Sequence, residues 1–318
     1  MRNKFIRSPI PYMGGKFKLL KYLIPLFPEK CSMFVDLFGG SATVCANYKG
    51  NSRTIYNELN PNIVSLVKLF KENDSNKIIT DLINLIDKFN LPKEGNVGNT
   101  KGEKDKKKCE ERRESYNRFR DFYNKSKERD YRLLYLLSCY SINNLIRFNS
   151  DSEFNVSVGN GFFGNKDIED IINFNNSLKN VEIIEGDAFK FNFDKLDKNS
   201  FVYCDCPYLN TEAVYNEKRA FGGWDIDCDY KLFKILEDLD KKGIKWGLSN
   251  VFTNRGKENT HLIEWCNKNG WQVYHTLRNY NPFSRGNSNN DEVYICNYKK
   301  SGTQCQSSFL DMPEYTII

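Results

Sequence analysis

The chain has 318 residues, of which 40% are hydrophobic, and a formal net charge of +6. That is enough apolar material for one large domain with an insertion, or for two domains. No apolar run approaches the ~18 residues of a membrane span, and the opening MRNKFIRSPIPYMGGK lacks the apolar core of a signal peptide, so the expectation is a soluble, cytoplasmic protein with no membrane partner.

The ten cysteines are scattered and form no CxxC pairs, and only His261 and His275 are available as imidazole partners, so no metal site is expected. The pair Cys204 and Cys206 also admits a redox or metal reading, but no further ligands lie near it in sequence. Charge is concentrated in one place. Between Lys101 and Arg132 there are 13 Lys and Arg against 8 Asp and Glu, an excess of five. Mixed signs read first as a solvated helix face, and phosphate binding competes only if other features point to nucleic acid.

In chain order, KFKLLKYLIPLF (Lys16 to Phe27) has helical periodicity, and CSMFVDLFGG is a short apolar strand that breaks into glycine after Asp36. A helix from Ser41, a strand at RTIYNEL and a helix from Pro61 follow, with proline at a first-turn position. Strand, turn, helix and strand in this order begin a doubly wound α/β sheet. From Leu66 to Tyr140 the pattern is helical, interrupted by PKEGNVGNTKGEKDKKK, which reads as a loop. Strands are expected again at VEIIEG, FVYC, IKWGLSN, WQVYH and EVYICNY, with helices over Tyr230 to Lys241 and Lys257 to Asn269. The expected architecture is an α/β domain made of residues 1–66 and 167–300, a mainly helical insertion at 67–166, and a tail at 301–318.

Ligands of open α/β sheets bind outside the carboxyl ends of strands, and four such ends carry chemistry here. FVDLFGGSA supplies Asp36, Phe38 and the glycines Gly39 and Gly40, without GxGxxG and without a Walker lysine. YNELNP supplies Glu58, a carboxylate able to accept both hydroxyls of a ribose, and EGDAFKF supplies Asp187 and Phe189, suited to the amine and the face of an adenine. Together they describe a seat for a nucleoside without a phosphate chain, as in S-adenosylmethionine. FVYCDCPY then delivers Asp205, Cys206, Pro207 and Tyr208 to one point. An exocyclic base amine is a poor nucleophile because its lone pair is delocalised. Asp205 can accept one of its N–H groups and the carbonyl of Cys206 the other, Tyr208 can stack on the base, and Pro207 stiffens the turn. A base in duplex DNA must be flipped out before such groups can reach it.

These motifs, with PYMGGKFKLL, NNLIRFNSDSEFNVSVG, WGLSN and SRGNSNNDEVYICNY, run in order from Pro11 to Tyr298 and resemble the D12 class of N6-adenine-specific DNA methyltransferases, the Dam and DpnM type. The resemblance implies a Rossmann-like fold with an inserted, mainly helical target-recognition domain, S-adenosylmethionine as cofactor and methyl transfer to adenine N6 in double-stranded DNA. It implies GATC as the site, base flipping with direct in-line transfer, a monomer, and a cognate restriction endonuclease as partner. Residue by residue, Tyr12 and Lys16 match the N-terminal cofactor-proximal element, and Phe38 and Gly40 the cofactor loop beside Asp36. Glu58 matches the ribose acid, Asp187 and Phe189 the adenine pocket, and Asp205, Pro207 and Tyr208 the catalytic D-P-P-Y, with Asp205 also near the methionine end of the cofactor. In the insertion, Asn143, Leu145 and Arg147 match the element that reads base edges, Ile142 the wedge beside the flipped base, and Phe154, Asn155 and Val156 the F-N-V-P turn. Arginine is in addition the natural bidentate reader of guanine.

The chain departs from the family pattern at five places: Cys206 replaces the first proline of D-P-P-Y, Glu58 replaces aspartate, Ala42 replaces glycine, Ser157 replaces the last proline of F-N-V-P, and the segment around Lys101 to Lys108 has no counterpart. Ordinary structural roles compete with several assignments. Phe38, Phe189 and Tyr208 also read as core aromatics, Tyr12 and Lys16 as residues of the first helix, and Arg147 as a phosphate contact. Two other functions compete: a methyltransferase of the same fold acting on RNA or cytosine N4, and a catalytically weak DNA-binding relative.

Overall fold

The computed structural model describes residues 5–50, 53–95, 103–209, 223–254, 256–279 and 290–300. The expected tail at 301–318 and the Ser284 to Asn289 part of the last motif lie outside the described residues. Two compact units are present. An α/β unit takes Lys16–Gly39, Asn47–Leu59 and the described residues from Val181 on, and a helical unit takes the described residues of Met1–Gly15, Gly40–Ala46 and Asn60–Asn180. The helical unit is thus wider than the sequence division of 67–166.

The α/β unit is built on one mixed sheet in the order β3-β2-β1-β4-β5-β8-β7. Its strands are β1 (Met33–Asp36), β2 (Arg53–Glu58), β3 (Val181–Glu185), β4 (Phe201–Cys204), β5 (Lys245–Asn254), β7 (Gln272–Asn279) and β8 (Asn290–Cys296), with the short β6 (Lys257–Glu258) pairing with β5 off this path. The five strands β3, β2, β1, β4 and β5 run parallel, and β8 and β7 are antiparallel additions. β4 lies between β1 and β5 and all four of its residues are buried; side chains covered on both faces of the sheet are why FVYC reads as an unbroken apolar run with no alternation. The chain proceeds from β1 through β2 to β3 on one side and resumes at β4 on the other side of β1. The switch point of the sheet therefore falls between β1 and β4, where Asp36 pairs with Tyr203 and Asp205 follows directly.

Two local expectations in the α/β unit need correction. The periodic stretch from Lys16 to Phe27 is not one helix but a 3-10 turn (Lys16–Leu19), a single α turn α1 (Leu20–Leu23) and a second 3-10 turn (Ile24–Leu26). Pro25 lacks the N–H an α-helix needs there and its ring crowds the preceding turn. The helix expected from Lys257 begins at Thr260 as α9 (Thr260–Asn269), because Lys257 and Glu258 pair with Asn254 and Thr253 as β6. On one face of the sheet, α8 (Ile226–Lys241) and α9 contribute Leu232, Phe233, Leu236, Leu262 and Trp265 to a core with Val35, Val202, Trp246 and Leu248. Elsewhere in the unit Phe27 packs on Phe34, Tyr48, Phe201, Tyr203 and Tyr294, with ring centroids 5.0–6.3 Å apart.

In the helical unit, α2 (Thr43–Asn47) begins next to left-handed backbone, and α3 (Pro61–Glu72), α4 (Ser75–Phe89), α5 (Glu103–Lys125), α6 (Tyr131–Tyr140) and α7 (Asn165–Ser177) follow. Asn60, Asp74 and Asp130 cap α3, α4 and α6 by accepting first-turn N–H groups. Phe70 packs edge-on against Tyr135 and Phe174, and Asn175 donates to the carbonyls of Phe70 and Asn73, so α7 belongs with α3 and α6 by packing. The expected loop over 92–108 ends early, since Glu103 to Lys108 form the start of α5. Its first turns carry no apolar stripe to reveal them. Further along, Arg112, Tyr116, Phe119 and Tyr123 make one buried face, while Lys106, Lys107 and Lys108 are exposed.

Candidate active site

Asp205 leaves β4 at the switch point with only 19% of its side chain exposed, and Lys16, 7% exposed, sets its Nζ 2.8 Å from Asp205 Oδ1. The Tyr208 hydroxyl donates to the same oxygen at 3.1 Å, and the Lys16 ammonium lies 5.0 Å from the centre of the Tyr208 ring. Burial pushes the Asp205 carboxyl above the usual carboxylate range, and Lys16 and the Tyr208 hydroxyl pull it partly back. The Tyr208 phenol is raised by burial and then by the neighbouring Asp205 charge, so it stays a protonated donor. Lys16, Asp205 and Tyr208 thus form one clamp. Cys206 is 2% exposed, its sulfur 3.9 Å from Asn250 Nδ2. Burial raises the thiols of Cys204 and Cys206. The described cysteines are all free, and a buried thiol held protonated is inert, so the redox reading of this pair falls away.

The remaining candidates in the α/β unit line the adjoining strand ends. Asp36 and Glu58 are 1% and 8% exposed at the ends of β1 and β2. Asn57 beside Glu58 donates to the carbonyls of Leu37 and Gly186 at 3.0 and 3.2 Å, and its own carbonyl accepts from Gly39 N–H at 2.8 Å. One residue therefore fastens the turn after β1 to the turn after β3. A Cβ on Gly39 would lie 2.3 Å from the Tyr56 ring, so only glycine allows this approach. Asp187 accepts from the N–H of Phe189 at 2.9 Å and caps the short turn that presents that ring. Phe38 and Phe189 are both partly buried, and Trp224 meets both.

The other predicted residues belong to the helical unit. Tyr12 lies against Gly40, whose backbone is left-handed (φ +48°) and where a Cβ would come within 2.9 Å of the Tyr12 ring. Ala42 is left-handed too (φ 56°) and fully buried, so the family's glycine position keeps its glycine conformation with a methyl attached. Ile142 is 48% exposed, and Asn143 and Asn144 are left-handed, which turns this exposed apolar side chain onto a tight loop. Arg147 donates through Nε to Asn155 Oδ1 at 2.8 Å and through Nη2 to the Asn155 carbonyl at 3.2 Å. Asn155 returns a backbone bond to the Arg147 carbonyl at 3.2 Å, and Phe148 bridges Phe154 in the same antiparallel pairing. Leu145 is half-buried, its N–H donated to the Ile142 carbonyl.

A family model described as D12 class N6 adenine-specific DNA methyltransferase matches residues 12–279. The chain belongs to this family. Among curated relatives it is 34% identical to the type II methyltransferase M.FokI of Planomicrobium okeanokoites, over 93% of this chain and 43% of the relative. It is 32% identical to the modification methylase StsI of Streptococcus sanguinis, over 93% and 44%. It is 30% identical to the type II methyltransferase M.MjaIII of Methanocaldococcus jannaschii, over 78% of this chain and 85% of the relative. The chain thus spans less than half the length of the first two.

Membership in a DNA adenine methyltransferase family implies S-adenosylmethionine as the methyl donor. The groups present suit it: buried carboxylates at the ends of β1 and β2, two partly buried aromatic rings, and a backbone approach open only to glycine. Among the described residues no cluster of His, Cys, Asp and Glu is arranged to hold a metal ion, and no helix is long and apolar enough to cross a membrane.

Sequence reasoning missed four residues of this family member. Asn57 and Trp224 act through distant partners that no local pattern names. Glu292 on β8 is raised by burial, then lowered by Lys16 and raised by Asp205, so it shares their electrostatic environment. Arg112 on α5 is 4% exposed and donates to the carbonyls of Gly159 at 2.8 Å, Glu94 at 3.2 Å and Gly161. A Cβ on Gly159 would come within 2.7 Å of Ile142 Cα, so Arg112 supports the strip of chain on which the Ile142 loop rests. Its signal in the sequence was hidden inside a run of solvated charge.

Proposed function

We propose that the chain transfers a methyl group from S-adenosylmethionine to adenine N6 in double-stranded DNA, working as a monomer in the cytoplasm. The observation that carries the reading is the mostly buried Asp205 at the switch point of the sheet, held by Lys16 and by the Tyr208 hydroxyl. Glu58 would hold the ribose hydroxyls, Asp187 and Phe189 the adenine, and Asp36, Phe38, Gly40, Tyr12 and Lys16 the remaining approaches of the cofactor. When bound, the cofactor supplies an electrophilic sulfonium methyl.

The residues of the chain make the acceptor nucleophilic. Asp205 accepts one N–H of the exocyclic amine and the carbonyl of Cys206 the other, which localises the nitrogen lone pair. Tyr208 stacks on the target base, taken out of the duplex by base flipping, and Pro207 fixes the turn that relates these groups. Transfer is direct and in line, with no covalent enzyme intermediate, so the contribution is positioning and electrostatics. Cys206 in place of proline still provides the carbonyl, and its buried side chain and Asn250 contact support the turn where a ring would otherwise stiffen it. In the helical unit Arg147, Asn143 and Leu145 read base edges, Asn155 holds Arg147 in place, and Ile142 fills the gap left by the flipped base. GATC is the site to test first, by family likeness, and a cognate restriction endonuclease is the expected partner.

The test is methyl transfer from labelled S-adenosylmethionine to unmethylated plasmid DNA, with Asp205→Ala beside it, followed by mapping of the modified bases. Label on adenine N6 in one short context, absent from the variant, is the expected result. Label on cytosine N4, or on RNA only, overturns the substrate assignment. A folded protein that binds cofactor and DNA but transfers no label is the catalytically weak relative.

A further inference from the structure

Trp224 stands apart from the other tryptophans of the chain. Trp246, Trp265 and Trp271 pack on one another in the core with centroids 5.0–5.8 Å apart, and the indole N–H groups of Trp246 and Trp271 have no hydrogen-bond partner among the described residues. Packing alone sets the orientation of those two. Trp224 instead lies partly buried beside the two aromatic rings at the strand ends: its ring stacks on Phe189 (5.7 Å, 23°) and meets Phe38 edge-on (5.6 Å, 77°). Its N–H donates to Asp229 Oδ1 at 2.7 Å. Asp229, on the first turn of α8, is only 1% exposed, and its Oδ2 shares a 2.7 Å hydrogen bond with His261 Nε2 on α9.

A buried carboxylate costs several kcal/mol unless both oxygens are engaged, so this arrangement is a strong device for orienting one half-buried ring. The physical reason to orient a ring this firmly is that something else must pack against it, since rotamer locking by a supporting shell is what makes a binding surface precise. The three rings come from three places, the turn after β1 (Phe38), the turn after β3 (Phe189) and the segment before α8 (Trp224). All three keep accessible surface. Asp229 also raises the thiol of Cys206 electrostatically, so the carboxylate that fixes Trp224 lies close to the catalytic turn.

We propose that Trp224 is a third aromatic wall of the pocket for the cofactor's adenine, and that Asp229, braced by His261, is the positioning residue that fixes its ring. This rests on the reading of Phe38 and Phe189 as cofactor contacts. Aromatic contact with a purine face is worth enough that removing one ring weakens binding by about tenfold.

The test is titration of the full chain with S-adenosylmethionine, followed by calorimetry and by tryptophan fluorescence, for wild type, Trp224→Ala, Trp224→Phe and Asp229→Asn, each checked for an unchanged ligand-free melting curve. Trp224→Ala is expected to bind about tenfold more weakly and Trp224→Phe within about threefold of wild type. Asp229→Asn, which keeps the ring but loosens its anchor, should raise KM for the cofactor while kcat changes less. The fluorescence change caused by cofactor should vanish in Trp224→Phe, where only the three core tryptophans remain. A folded Trp224→Ala that binds like wild type overturns the inference. So does an undiminished fluorescence change in Trp224→Phe, a readout that holds even if the alanine variant does not fold. Wild type that binds no S-adenosylmethionine overturns the underlying cofactor reading instead, and is recognised before any variant is compared.

Discussion

Lys16 Nζ sits 2.8 Å from Asp205 Oδ1, and 189 positions of sequence separate the two. The ammonium is one of the two groups that keep the buried Asp205 carboxyl from rising further above its ordinary value of 3.8. In the proposed mechanism the ionised carboxylate is the acceptor, so the acid limb of the pH profile is expected above the ordinary carboxylate range. Lys16→Met removes a stabilising positive charge, and the limb should move to still higher pH. Single-turnover rates across pH check this; a limb that stays in place, or moves down, contradicts the pairing.

Tyr208 offers Asp205 a hydroxyl at 3.1 Å, and its ring is the one proposed to stack on the target base. Tyr208→Phe deletes only the hydroxyl, a loss of about 1 kcal/mol or about fivefold in rate, whereas Tyr208→Ala deletes the ring as well and should cost far more. Equal losses in kcat/KM for DNA would mean that the ring contributes nothing.

Glu292 is raised above its ordinary 4.5, with burial as the leading cause. A group whose folded pKa is raised adds stability that is complete below the unfolded value and is lost as pH rises through the folded one. Glu292→Gln removes that loss. Relative to wild type its melting temperature should therefore be more favourable at about pH 8 than at about pH 4, and a pH-independent difference would rule out the assignment.

Ala42 holds a left-handed backbone (φ 56°) with its methyl fully buried. Left-handed strain of about 1–2 kcal/mol opposes burial of one methyl, about 0.8 kcal/mol. Ala42→Gly should consequently change stability by no more than about 1 kcal/mol, and Ala42→Val, β-branched at the same φ, should destabilise clearly. Denaturant midpoints decide between these outcomes.

Arg112 satisfies the carbonyls of Glu94, Gly159 and Gly161 from a 4% exposed position. Arg112→Met leaves them without these donors, at a cost of about 2–4 kcal/mol. Because the Ile142 loop rests on this strip, DNA affinity should drop more than the affinity for S-adenosylmethionine. A stable variant with unchanged DNA binding would show that the loop does not depend on it.

Much of this molecule is legible in its amino-acid order. Parallel strands covered on both faces of a sheet read as short apolar runs, which is how FVYC and MFVD stand out, and the strand ends carry the acids that the sheet presents: Asp36, Glu58, Asp187 and Asp205. The order of the motifs carries the identity of the fold, and the family match over residues 12–279 agrees with it. Local patterns mislead where charge or proline overrides periodicity. Glu103 to Lys108 read as loop because nothing apolar marks a helix, and Lys16 to Phe27 read as one helix although Pro25 divides it.

Which residues could do the chemistry follows from the chain alone, because strand-end position and residue type are both local properties. Which of them act together follows only from the folded arrangement. Lys16 meets Asp205, Asn57 clasps Leu37 and Gly186, and Trp224 reaches Phe38, Phe189 and Asp229 through space. Such pairings depend on strand order and crossover, not on any local pattern, since the sheet brings its neighbours together across long stretches of chain.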